Sequence, residues 1–148
     1  RPLILGSEAL RERQVHYFLP DDITRVRIEV DGHERTMVRE SSAIGGPAFW
    51  YPSGSPADSD ITFTNFMERV AQISIEGFGK TPPRDSLVEL MHIQYFGVED
   101  EELGFLRFYT DSDKARESYF VLSERTKILA EAMALHAEIV ASDLTNFF

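Results

Sequence analysis

The chain has 148 residues, of which 43% are hydrophobic and 27% charged, and it contains no cysteine. That length suits one domain with one hydrophobic core, and the composition lies outside the range of disordered chains. Without cysteine, the chain has no disulfides, thiolate nucleophiles or zinc–sulfur sites. The net charge of −10 disfavours binding of the whole chain to nucleic acid or anionic membranes and favours a basic partner.

No run of about 18 to 20 apolar residues is present, and no basic stretch precedes an apolar one near the start. The sequence therefore predicts neither a membrane span nor a signal peptide, and it favours a cytoplasmic protein. We expect residues 1–148 to form a single globular domain. Because the chain begins at Arg1 and not at methionine, we also expect a processed terminus or a piece of a larger chain.

Residues 23–40 are predicted to form a β-hairpin, since apolar and charged side chains alternate there at the period of a half-buried strand. Asp31-Gly32 marks the turn. We favour a three-residue loop that includes His33, because a two-residue loop would turn arginine toward the core. That register places four arginines on one face, where they would bind phosphate, RNA or an acidic peptide or be neutralised by the chain's own carboxylates. They are Arg25, Arg27, Arg35 and Arg39.

Residues 41–59 contain three glycines and three prolines and are therefore predicted to form one long loop. The loop carries Phe49-Trp50-Tyr51, three consecutive aromatic residues. Aromatic side chains in such a loop are typical anchors of a binding surface. They are equally consistent with a lid that folds back over the sheet.

A middle helix is predicted over about residues 60–76, with Asp60 as its N-cap and Gly77 at its end. The following Gly79-Lys80-Thr81 resembles the end of a phosphate-binding loop. However, Ser74 occupies the position where that motif requires glycine, and a helix rather than a strand precedes it. We therefore expect no nucleotide site.

The C-terminal half predicts three strands over residues 87–96, 105–110 and 118–122, followed by a helix over about residues 124–142 capped by Ser123. A continuous helix from Asp113 onward is the alternative. The predicted fold is α+β, with an antiparallel sheet of about five to six strands, made of the hairpin and a three-stranded meander. Both helices would pack on one face of that sheet.

No catalytic or metal-binding pattern emerges from the sequence. The four histidines are far apart, and neither a Gly-x-Ser-x-Gly elbow nor a calcium loop occurs. We therefore expect no cofactor, no metal and no catalysis. An alternative is a small-molecule binder or enzyme with a pocket between sheet and helices. Its expected lining is His92, Tyr95, Tyr109, Tyr119 and His136.

The function that the sequence favours is a non-catalytic protein-interaction domain, such as an inhibitor, an immunity-type antagonist, an adaptor or an assembly subunit. Its contacts with a basic partner protein would come from the aromatic loop and from acidic turns. Self-association through the last helix, Phe147 and Phe148 is another form of this hypothesis. The candidate contact residues are Phe49, Trp50, Tyr51, Glu99, Asp100, Glu101, Glu102, Asp111 and Asp113.

Overall fold

The structure is a computed structural model that describes residues 14–41, 48–55, 60–78, 84–112 and 118–147. These residues form an α+β fold with one antiparallel sheet and two α-helices, α1 (Ile61–Ala71) and α2 (Ala134–Phe147). The strands are β1 (Arg25–Val30), β2 (His33–Ser41), β3 (Ala48–Pro52), β4 (Ile75–Gly77), β5 (Leu87–Phe96), β6 (Glu102–Asp111), β7 (Tyr119–Ser123) and β8 (Ala130–Ala132).

The strands are ordered β3-β2-β1-β5-β6-β7-β8-β4 across the sheet. The predicted fold class is thus confirmed, but the sheet in the described part of the chain has eight strands rather than five to six. The additional strands are β3, β4 and β8, which have five, three and three residues. Such short strands contain too few residues to show a clear alternation of apolar and polar side chains.

One face of the sheet, here called the core face, packs against the helices. A single buried cluster joins side chains of α1 and α2 to side chains of the central strands. Phe66 of α1 and Phe108 of β6 are both fully buried in this cluster. The side chains that point to the opposite face, here called the outer face, do not belong to it.

The hairpin register is the first correction to the sequence analysis. The loop has two residues, Asp31 and Gly32, with φ of 51° and 78°. A turn with positive φ at both positions matches the right-handed twist of the strands. Met37 therefore lies opposite Val26 and is buried, while Arg35 shares the core face but is exposed near the end of the hairpin. The prediction that this register would bury arginine was wrong.

The second correction concerns the predicted loop over residues 41–59, within which Ala48–Pro52 forms strand β3 along β2. Trp50 points to the core face, is only 4% exposed and meets the ring of Phe63 edge-on at 5.6 Å. The aromatic triplet follows strand alternation, because Phe49 and Tyr51 point to the outer face. Residues 42–47 and 56–59 lie outside the described residues.

The free edge of β3 is covered by the start of α1. The Trp50 N–H donates to the Thr64 hydroxyl at 3.0 Å, and the Trp50 carbonyl accepts from the Asp60 N–H at 2.7 Å. Pro52 is the next residue whose backbone groups point to the free edge. It has no N–H, and its carbonyl accepts from the Ser55 N–H at 3.0 Å. These contacts satisfy the edge-facing backbone groups of Trp50 and Pro52, with which an added strand would pair.

Both predicted helices are shorter than expected. Asp60 caps α1 as predicted, since its side chain accepts from the Phe63 N–H at 3.0 Å. Helix α1 nevertheless ends at Ala71, because residues 75–77 pair with β8 as strand β4. The predicted helix over about residues 124–142 begins only at Ala134.

The C-terminal helix was predicted to start too early because the apolar residues of β8 and of α2 together fit the spacing of one helix face. Ser123 does bond to the N–H groups of Arg125 and Thr126, but this makes a single turn. Lys127, with φ of 59°, then redirects the chain into β8. Ile128 is 60% exposed, so it does not belong to the buried face of a helix. None of the helices in the described part of the chain is long and apolar enough to cross a bilayer.

Candidate ligand-binding cleft

A cleft of about 920 Å³ opens between the core face of the sheet, helix α1 and an N-terminal segment, residues 14–19, here called the strap. Its volume and mainly apolar lining match those of small-molecule sites in proteins. The apolar lining includes Val15, Phe18, Leu19, Pro20, Ile23, Trp50, Met67, Val70, Ile73, Leu106 and Met133. The polar lining includes Gln14, His16, Asp21, Arg39, Thr64, Glu68, Gln72, Ser74 and Tyr95.

The strap is held by three consecutive residues, the last residue of β7 and the two that follow it. The Ser123 hydroxyl donates to the carbonyl of Val15, and the Arg125 guanidinium donates to the carbonyl of Gln14 at 2.6 Å. Between them, Glu124 accepts from the backbone N–H of Tyr17 at 3.0 Å. The strap itself belongs to no helix or strand of the described structure, so these contacts position this wall of the cleft.

Glu124 is the centre of a half-buried polar cluster. One carboxylate oxygen lies 2.9 Å from Nδ1 of His16 and 3.2 Å from the backbone N of Phe105. Burial raises the pKa of Glu124, but the hydrogen bonds from His16 and from the N–H of Tyr17 outweigh it, so the pKa lies below its ordinary value. The carboxylate is therefore ionised near neutral pH. Because it only accepts hydrogen bonds, Nδ1 of His16 must carry the proton between them.

Gly104 makes room for this carboxylate. A Cβ built on Gly104 would overlap the Glu124 side chain, including its carboxylate oxygen Oε1. The requirement for glycine here is one of space, since Gly104 does not adopt positive φ. Strand β6 thus approaches Glu124 closely enough for the Phe105 N–H to reach it.

The ring of His16 packs with two further aromatic rings, and all three residues line the cleft. His16 stacks on Phe18 at 4.5 Å between ring centroids and meets Tyr95 edge-on at 4.9 Å. Phe18 and Tyr95 are also 4.9 Å apart. Burial, reinforced by the negative charge of Glu124, raises the pKa of Tyr95, so its hydroxyl remains protonated. This corner of the cleft is therefore aromatic, with a histidine and a phenol as polar groups.

The five residues predicted to line a pocket do not come together. Tyr95 lines the cleft, whereas Tyr119, on the same face of the sheet, stacks on Phe108 at 5.6 Å and is not part of the lining. His92 points to the outer face opposite Arg107, and burial and that arginine lower its pKa. Tyr109 also lies on the outer face, and His136 is half-buried on α2 away from the cleft lining.

The predicted partner-contact residues do not form one surface either. Glu99 to Glu102 are exposed at the turn between β5 and β6, whereas Asp111 ends β6, roughly 30 Å away along the strand. Trp50 is buried in the core. Phe49 and Tyr51 lie half-buried on the outer face of the edge strand β3. Asp113 and the side chains of Phe147 and Phe148 lie outside the described residues.

The four arginines are divided between the two faces by the two-residue turn. On the outer face, Arg25 lies 3.1 Å from Asp100 and 4.4 Å from the ring of Phe96, and Arg27 lies 3.4 Å from Glu34. On the core face, Arg35 is exposed, and Arg39 lines the cleft with its guanidinium 3.0 Å from Asp21. The predicted single arginine strip is therefore wrong, and Arg25, Arg27 and Arg39 each lie within hydrogen-bond reach of a carboxylate of the chain.

His16 and Glu124 were not predicted from the sequence to form a pair. They are 108 positions apart, and Glu124 stood at the start of a predicted helix. No spacing signal connects them, because only the pairing order of the sheet brings the strap to the end of β7. In the described ranges, no three His, Asp or Glu side chains lie close enough to hold a metal ion.

The chain was compared with protein-family models, with curated proteins and with solved structures, and none of the three comparisons finds a match.

Proposed function

We propose that this protein binds a small, largely apolar molecule in the cleft between the sheet and α1. The observation that carries this proposal is the cleft itself, with a volume of about 920 Å³ and a mainly apolar lining. Sites of this size bury most of the surface of a small ligand, while a few polar groups fix its orientation.

The polar groups of the cleft support binding rather than a filled core. Buried polar side chains are usually paired within the protein, and Glu124 follows this rule with three donors. His16 uses only Nδ1 in its bond to Glu124. Arg39 lines the cleft with only 18% of its side chain exposed, and its partner Asp21 is 92% exposed, so solvent weakens the pair from the Asp21 side and a ligand can compete for the guanidinium.

A protein partner on the aromatic and acidic residues is less well supported by the geometry. Trp50 packs in the core, the edge of β3 is covered, and the acidic residues lie at opposite ends of β6. A binding surface concentrates its anchors near its centre. These residues do not provide such a centre.

The proposal is tested by filling the cleft from an exposed position, so that folding is preserved. Ala71 lines the cleft and is exposed on α1, whereas Asn65 is exposed on the same helix and does not line it. Nile red, a neutral apolar dye whose emission rises in apolar surroundings, is titrated into each variant. We expect Ala71→Phe to weaken dye binding at least tenfold and Asn65→Phe to leave it unchanged. Equal binding by both variants, or no binding by the wild type, contradicts the proposal.

A second candidate, self-association through α2, is favoured by two exposed side chains. Leu135 and Ile139 are 67% and 41% exposed and lie one helical turn apart on one face of α2. A second copy of the chain would cover this pair. We expect sedimentation velocity to show a dimer that Leu135→Lys abolishes. Ile61→Lys, which changes an exposed isoleucine on α1, is the matched control and leaves it intact.

A further inference from the structure

His16 faces the cleft with one ring nitrogen already committed. Its Nδ1–H donates to Glu124, and Glu124 does not line the cleft although His16 does. The edge of the ring that carries Nδ1 is therefore directed away from the opening. Among the described residues, Nε2 makes no hydrogen bond, and it is not among the fully buried unpaired atoms. Nε2 is thus the nitrogen available to a ligand.

The surroundings of His16 favour a flat, unsaturated ligand. His16 and Phe18 stack with an angle of 27° between their planes, and Tyr95 meets both rings at 4.9 Å. Aromatic groups pack best in offset or edge-on contact with other rings. An aromatic ligand would extend this cluster, whereas a saturated chain would gain only the general benefit of apolar burial.

The charges that line the cleft disfavour a permanent anion. Among the described residues that line it, Asp21 and Glu68 are acidic and Arg39 is basic, and Asp21 already pairs with Arg39. A ligand that enters neutral avoids repulsion by these carboxylates. A weakly acidic hydroxyl meets this condition and still offers a strong donor to Nε2.

We infer that the cleft recognises a neutral aromatic molecule with a weakly acidic hydroxyl, a phenol in chemical class, whose O–H donates to Nε2 of His16. This inference rests on the proposed binding function and specifies its ligand. His16 is the group that contacts the ligand. Glu124 is a positioning residue, because it fixes the ring orientation and the proton on Nδ1.

The test compares β-naphthol with its methyl ether, which has nearly the same shape but no O–H. Both are titrated calorimetrically into the wild type at neutral pH. We expect the naphthol to bind about tenfold more tightly, the size of one hydrogen bond to a buried acceptor. In His16→Phe, which keeps an aromatic ring in the stack, the two compounds should bind with equal affinity. Glu124→Gln should reduce the preference, and Glu89→Gln, which changes a carboxylate on the outer face, should leave it unchanged.

The outcomes separate this inference from the proposed function. Equal binding of naphthol and ether by the wild type overturns the inference and leaves ligand binding in the cleft standing. The inference also fails if Nile red binds and neither naphthalene compound does, or if His16→Phe keeps the preference for naphthol. Absence of binding by Nile red and by both compounds overturns the proposed function together with the inference. Thermal melting of each variant confirms that it is folded.

Discussion

The two faces of the sheet use polar groups in different ways. On the outer face, Arg27 and Glu34 pair at 3.4 Å with about half of each side chain exposed, at 50% and 52%. On the core face, His16 and Glu124 pair at 2.9 Å with each side chain only 17% exposed. Water screens the first pair, so it contributes little, whereas the second has lost solvent and must be compensated by hydrogen bonds.

The difference between the two faces indicates where a functional group lies in this fold. Charged side chains of the outer face find partners across neighbouring strands, as Arg107 does with Glu89 at 3.3 Å. They form a surface on which charged side chains remain in contact with solvent. The core face instead combines a cleft, an aromatic cluster and one imidazole nitrogen without a partner in the described structure. A polar group held there at a cost in solvation is the better candidate for recognition.

The largest difference in the free energy of unfolding is expected between variants of two aromatic residues on opposite faces of β6. Phe108 is fully buried, while Phe105 is half-buried on the outer face. Phe108→Ala should lower the free energy of unfolding by about 3–5 kcal/mol, because it leaves a cavity in the core. Phe105→Ala should cost clearly less. Urea denaturation measures both, and equal losses would contradict the assignment of the two faces.

The next effect comes from Gly104. Gly104→Ala should displace the Glu124 carboxylate and lower the free energy of unfolding by about 1–3 kcal/mol. Gly77→Ala is the matched control, because an added Cβ there meets no atom within 4 Å. We expect Gly104→Ala also to abolish the preference for β-naphthol. If Gly104→Ala were as stable as the control, strand β6 would not depend on glycine at this position.

A pH titration should separate Glu124 from the exposed carboxylates. Because its folded pKa is lowered, Glu124 contributes stability above the ordinary carboxyl range, and this stability is lost as the pH falls through the lowered pKa. Glu124→Gln should lower the free energy of unfolding near neutral pH by about 1–3 kcal/mol. The difference between wild type and variant should shrink in acid. A difference that stays constant from neutral to acid pH would contradict an ionised Glu124 that accepts from the Nδ1–H of His16.

The smallest effect is expected on the outer face. Arg27→Gln should change the free energy of unfolding by no more than about 0.5 kcal/mol, since both partners of its ion pair are half exposed. It should not alter Nile red binding. A loss larger than that of Glu124→Gln would reverse the comparison on which this account depends.

The sequence predicted the long elements well and the short ones poorly. The hairpin and the β5–β6–β7 meander carry enough alternating residues to be found, and Asp60 marks the start of α1. Strands β4 and β8 have three residues each and were absorbed into neighbouring helices. The hairpin register failed because it assumed that the core face cannot hold arginine, whereas Arg35 is exposed and Arg39, with 18% of its side chain exposed, pairs with Asp21.

The site was predicted less well than the fold, for a geometric reason. His92 and Tyr95 were assigned to one pocket, but residues three apart on a regular strand point to opposite faces. Tyr95 therefore reached the cleft and His92 did not. The two residues that matter most here, His16 and Glu124, meet only after the strap packs against the turn beyond β7. Nothing in the local sequence of either one indicates that contact.

The most direct test of the central claim is a map of backbone amide chemical shifts while β-naphthol is titrated into the isotope-labelled chain. If the cleft on the core face is the functional site, the shifted amides should cluster in the strap, around Ala71 in α1 and at Tyr95 in β5. The amides of Arg27 and Glu34 in the outer-face ion pair should stay unchanged. Shifts centred on that pair, or no shifts at all, would contradict the account.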